Sequence, residues 1–226
     1  MRKIIFSRKG LDSSAGGAPS PIMPDGRIFS LPIPQKEKSP NRYKNLQFDE
    51  FNGTKLLKNF KSKIKPNDFC HYDPRLNQKI GIFGQANAAQ SELDNLEVQT
   101  GDLFLFFGWF KNVGKKGTDL HHLFGWLQID EIIKGEKDIK NYLKLKKLDH
   151  PHGFEDVSRY KNNTLYLGAN QLTLNKRKTF KRGHGLFKKT HRDLILTEEN
   201  KTRSNWQFPN DFKNSKNLFM NRLKWS

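Results

Sequence analysis

The sequence has a single cysteine, Cys70, so no intrachain disulfide can form and a reducing compartment, the cytoplasm, fits best. It has no run of about 18 apolar residues, which excludes a membrane-spanning helix. The opening Met1-Arg2-Lys3-Ile4-Ile5-Phe6 starts like a secretory leader, but its apolar run stops at Ser7-Arg8-Lys9 and reads as a strand. The phosphate-loop ending Gly-Lys-Ser/Thr, the dinucleotide fingerprint and HExxH are all missing, so no ready-made cofactor motif is available. Acids are scarce: 23 Asp and Glu face 41 Lys and Arg, a net charge of +18. That excess favours a polyanionic partner, nucleic acid (DNA first) or a nucleotide, and no membrane. Solubility and AT-rich coding bias also produce lysine- and asparagine-rich chains, so charge alone leaves that alternative open.

What is present is aromatic. The chain of 226 residues is 35% hydrophobic, with 18 Phe and 4 Trp, enough for one domain over 1–226 with an aromatic-rich core and a basic, turn-rich C-terminal part, 176–226. Residues 3–7 read as a strand followed by a long Gly/Pro/Ser loop, 7–21. After the turn Pro24-Asp25-Gly26, Ile28 to Ile33 reads as a return strand. Leu56, Leu57, Phe60 and Ile64 have helical spacing; Ala88 to Leu93 is a short helix, and residues 136–148 a basic amphipathic one. Leu103 to Phe110 and His121 to Ile129 are two apolar strands forming a central hairpin, and Thr164–Leu167 and Gln171–Leu174 are short strands.

Five groups of residues carry candidate chemistry. In the 7–21 loop, Arg8 and Lys9 can donate to phosphate, Ser13 and Ser14 with the glycine amides can cradle an anion, and Asp12 can accept from a sugar or base or act as acid or base. His71 beside Asp73 can move a proton, although a loop histidine satisfying a carbonyl is an equal reading. His121 and His122 fit hydrogen-bonding partners at a strand edge. His150-Pro151-His152 invites a zinc reading, but one Cys and no HExxH argue against it: no metal and no cofactor are expected. Trp109 and Trp126 can stack on a base, whereas Phe104, Phe106 and Phe107 read as core. The run 176–192 holds Lys176, Arg177, Lys178, Lys181, Arg182, Lys188, Lys189 and Arg192 without an acid, a phosphate-binding pattern or a solvated loop. Cys70 as a nucleophile has only its neighbour His71 in its favour.

Ordered strings along the chain resemble a known family. Phe6-Ser7-Arg8-Lys9-Gly10, Asp12-Ser13, Leu31-Pro32-Ile33-Pro34, His71-x-Asp73-Pro74, Phe83-Gly84-Gln85, Phe104 to Phe110, Gly125-Trp126, His150-Pro151-His152, Gly183-x-Gly185-x-Phe187 and Ser204-x-Trp206-x-x-Pro209 are similar to the third nucleotide-modification-associated domain family. That resemblance implies a phage or bacterial protein associated with DNA base modification. Arg75 stands where it implies an acid. The hairpin alone is also similar to PUA-like (ASCH, EVE, YTH) base-binding barrels, a fold-level analogy. Together these imply an α+β fold with a central, mostly antiparallel PUA-like barrel or strongly curved sheet and flanking helices. The first functional reading is recognition of a modified base or nucleotide in an aromatic pocket lined by Gln85, Trp109, His121, Trp126 and the 7–21 loop with Arg8, Lys9, Ser13 and Ser14, while the 176–192 run holds the phosphates. The second is an enzyme acting on a nucleobase or its glycosidic bond, with Asp12, His71 and Asp73 supplying acid–base chemistry.

Overall fold

A computed structural model describes residues 2–114, 117–154 and 158–208, and the backbone of 218–221; Pro209 and the remainder of the C-terminal part lie outside them. The N-terminal half contributes β1 (Ile4–Arg8), β2 (Ser20–Ile22), β3 (Ile33–Gln35), β4 (Gln47–Phe48), β5 (Phe51–Asn52), α1 (Gly53–Leu57), β6 (Phe69–His71), β7 (Ile82–Gln85) and α2 (Asn87–Asn95). The second half contributes β8 (Leu103–Asn112), β9 (Leu120–Lys134), α3 (Glu136–Lys146), β10 (Thr164–Gly168), β11 (Thr173–Leu174), β12 (Arg177–Lys178), β13 (His184–Leu186) and β14 (Leu218–Asn221).

The main sheet has eight strands in the order β14-β1-β8-β9-β10-β7, with β2 joining β8 and β13 joining β9. It is mixed: β1 runs parallel to β8 and β14, while β9 is antiparallel to β8, β10 and β13. The path does not return on itself, and no closed barrel is found among the described residues. The sheet-rich α+β expectation holds at that level; the barrel is not part of what is seen.

The β8–β9 hairpin is longer than its apolar runs, because β9 continues past Ile129 to pair with β10 through Glu131–Lys134. The predicted Ile28–Ile33 strand is reduced to a bridge, Ile22↔Ile28, and β3 begins only at Ile33; Pro32 and Pro34 lack the N–H groups a ladder needs. Helix α1 is one turn long, started by Asn52, whose side chain accepts from Lys55 N–H. Its expected continuation to Ile64 is lost as Ser62 Oγ accepts from Ile64 N–H and Pro66 favours an extended Lys65. Phe60 and Ile64 still pack on Leu56 and Leu57. Helix α3 closes where Lys147 turns left-handed, φ 53°.

The core is aromatic, as composition requires. Phe83, Phe104, Phe106 and Tyr166 are buried together, with Phe83 ring centroids 4.9 Å from Phe104 and 5.1 Å from Phe106. Phe107 is also fully buried, on a separate cluster with Phe6, Leu123 and Leu196. Two buried histidines give this fold an acid limit. Burial pushes His121 and His122 down to about 4. Between the ordinary value near 6.5 and about 4, the unfolded chain binds protons that the native state refuses. Stability is therefore expected to fall on acidification through that window, by about 1.4 kcal/mol per pH unit for each histidine, and to level off below it. Urea midpoints at pH 7, 6 and 5 check this; a flat series would contradict it.

Candidate functional site

The carboxylate of Asp73 is the organising group. It follows β6, in the loop that Pro74 keeps out of helix, and its side chain is fully buried. Its Oδ1 accepts from Gly84 N–H of β7 at 2.9 Å and from His150 Nε2–H at 3.1 Å. His150 has that tautomer because its Nδ1 accepts from His152 N–H. Oδ2 has no hydrogen-bond partner among the described residues. The Lys9 ammonium lies 3.7 Å from it and His71 Nε2 3.9 Å. Burial alone would raise this carboxyl, but the His150 hydrogen bond and Lys9 outweigh it and hold the group well below the ordinary carboxylate range.

Three histidines surround this acid. His71 Nδ1 lies 3.2 Å from Gln35 Oε1, and the Gln35 amide nitrogen points to the carbonyls of Glu37 and Lys38. The oxygen can only accept, so His71 carries its proton on Nδ1. His152 is fixed in the same way: Nδ1–H donates to Asn163 Oδ1 at 2.6 Å, while the Asn163 amide donates back to His152 C=O. The His152 ring stacks on Tyr160 at 4.8 Å and lies 5.3 Å from His71. Burial drives His71 down to about 4 and His152 well below its ordinary value. Gly84 is required for this approach, because a Cβ there would come within 2.3 Å of the His152 ring.

The cluster opens on a cavity of about 450 Å³ lined by Arg8, Lys9, Asp12, His71, Asp73 and Gln85. Six residues expected to be functional thus meet in one place. Asp12 accepts from Ser14 N–H, Ser14 Oγ–H and Ala15 N–H on Oδ1, and Arg8 lies 3.6 Å from its Oδ2. Burial opposes ionisation of Asp12; those hydrogen bonds and Arg8 prevail, so it is held below its ordinary value. The donors of Ser14 are thereby occupied, and Ser13 Oγ accepts from Arg203. Neither serine lines the cavity.

The two tryptophans do not line it either. Strand register pairs Trp109 with His121, but Trp126 with Leu105, four residues along β8. At about 3.3 Å per residue that separates them by roughly 13 Å. Trp109 lies under Arg203, 4.2 Å from guanidinium to ring, and His121 Nδ1 accepts from Trp206. Trp126 packs on Phe187 and donates to Arg182 C=O. It lines a separate groove of about 490 Å³ with Phe48, Tyr72, Lys181, Arg182 and Lys188. Lys176, Arg177, Lys178 and Lys189 of the basic run are exposed, the first three on or beside the β11–β12 hairpin. Cys70 is buried and its thiol pushed up to about 12, which makes a poor nucleophile.

Sequence reasoning missed the joining of His-x-Asp and His-x-His across 77 residues of chain. The signal was in both strings, but only β7, with Gly84 between Asp73 and His152, brings them together.

The fold and cleft define a sheet-rich α+β protein with a histidine–aspartate centre beside a cation-lined cavity. The chain matches the family nucleotide modification associated domain 3 over residues 3–225 and belongs to that family, which links it to DNA base modification. Comparison with curated proteins and with solved structures finds no match. Among the described residues, no helix is long and apolar enough to cross a membrane.

Proposed function

We propose that this protein is an enzyme acting on a nucleobase or nucleotide of DNA, with the His71–Asp73–His152 cluster as its reaction centre. The observation that carries this reading is a fully buried carboxylate whose Oδ2 has no hydrogen bond among the described residues and lies near a lysine and an imidazole, on a residue that lines a 450 Å³ cavity. Burying a charge with an oxygen left without hydrogen bonds is costly, so such a group calls for a role beyond packing. The cavity is within the size range of small-ligand sites, about 300–1,000 Å³. In this reading Arg8 and Lys9 hold the phosphate or another anionic part of the substrate, Gln85 reads a base edge, and Asp12 anchors the loop that carries Arg8. Family membership supports the substrate class.

A recognition role has its own support in the second groove. Trp126, Phe48 and Tyr72 offer faces for stacking, and Lys181, Arg182 and Lys188 border them. We assign this groove to holding the nucleic acid strand. Binding should then weaken with salt, log K falling linearly with log salt. Lys181→Ala with Lys188→Ala should flatten the slope by roughly two. An unchanged slope would remove the groove from the interface.

Expression in a bacterial host, which supplies any co-reactant, followed by mass analysis of DNA nucleosides tests the enzymatic reading. A new or missing nucleoside that depends on Asp73 supports it. Unchanged nucleosides together with tight retention of DNA would make the protein a reader.

A further inference from the structure

The cluster has the construction of a metal site. His71, Asp73 and His152 each present one donor atom, and the three lie within 4.8 Å of one another. Each ligand is oriented by a partner behind it. Gln35 Oε1 accepts from His71 Nδ1–H, and Asn163 Oδ1 from His152 Nδ1–H, leaving a lone pair on Nε2 of each ring. Gly84 N–H and His150 Nε2–H occupy Oδ1 of Asp73 and leave Oδ2 bare. Partners of this kind, which set tautomer and direction, are the usual support of metal-binding histidines and carboxylates. The sequence-based expectation of no metal weighed His150-Pro151-His152 on its own. In the fold His150 stands behind Asp73, and only His152 of that pair faces His71.

We propose that His71, Asp73 and His152 bind one first-row divalent transition metal ion. Two imidazoles and one carboxylate suit Mn, Fe, Co, Ni or Zn and disfavour Mg and Ca, which take oxygen ligands. Metal–ligand lengths of about 2.0–2.2 Å require donors roughly 3.0–3.5 Å apart, so donors at the 4.8 Å limit need to close by about 1.3–1.8 Å. Three protein ligands leave further positions for water or substrate on the cavity side, where Arg8, Lys9 and Gln85 stand. Lys9 competes with the ion, since its ammonium is 3.7 Å from Oδ2. The inference deepens the proposed reaction centre and rests on the same cleft, but metal binding can be measured without any turnover.

The test is titration of the chelator-stripped full chain with Co²⁺, read by its visible absorption and by equilibrium dialysis, with circular dichroism as a control for folding. One equivalent should bind, with a visible band reporting nitrogen and oxygen ligands. Asp73→Asn and His152→Asn should abolish the band, and Asn163→Ala should weaken binding about 10- to 100-fold. Lys9→Met should tighten binding about tenfold or more by removing the competing charge; no misfolded variant would do that. Absence of stoichiometric binding, persistence of the band in both ligand variants, or unchanged affinity in Lys9→Met would overturn the assignment. If Co²⁺ fails to bind while the protein still alters nucleosides, the metal falls and the reaction centre stands. If Co²⁺ binds and nucleosides never change, the metal stands and the enzymatic reading falls.

Discussion

Replacing Asp73 by Asn is expected to lower turnover by at least about a hundredfold while nucleic acid affinity stays within about threefold. The amide oxygen can still accept from Gly84 N–H and His150, so the loop after β6 keeps its position. What is lost is the negative charge beside Lys9, and the oxygen that has no hydrogen bond among the described residues becomes an NH₂ donor. A group that acts mainly in the transition state affects rate, whereas a recognition contact affects binding and rate together. Anisotropy titration with labelled DNA, set beside single-turnover nucleoside analysis, separates the two. Equal losses in affinity and rate would make Asp73 a binding contact.

Phe83→Ala is expected to cost about 3–5 kcal/mol of stability. Phe83 is fully buried and packs against Phe104, Phe106 and Tyr166, three rings drawn from β8 and β10. The cavity left would be walled by those three buried rings. The same ring carries the Lys9 ammonium, 4.4 Å from its centroid, so the variant should also disturb the cleft. Urea denaturation gives the number; a loss below about 1.5 kcal/mol would show that this part of the core repacks freely.

Much of the sheet could be read before any coordinates, because β8 is a nearly continuous apolar run and nothing else suits Leu103-Phe104-Leu105-Phe106-Phe107. The helix α3 was equally plain from its 3.6-residue spacing. Parallel pairing of β1 with β8 and β14 could not be read, since parallel partners are distant in sequence and leave no turn signal. The site was half legible. Arg8, Lys9, Asp12, His71, Asp73 and Gln85 were singled out by residue type and loop chemistry and do share a cavity. The tryptophans were placed there because their rings can stack on a base, but register decides where a side chain lies, and Trp126 pairs with Leu105. The role of His152 depends on a tautomer set by Asn163 and on the missing Cβ of Gly84, neither of which spacing within the His-x-His string can show.

In the proposed reaction a nucleobase enters the cleft beside Asp73. Photocrosslinking with a 5-iodouracil-bearing oligonucleotide, followed by peptide mapping, tests it directly. Adducts are expected on peptides containing residues 7–15 and 71–85. Adducts confined to the Trp126 groove or the 176–192 run, with none in those two segments, would contradict it.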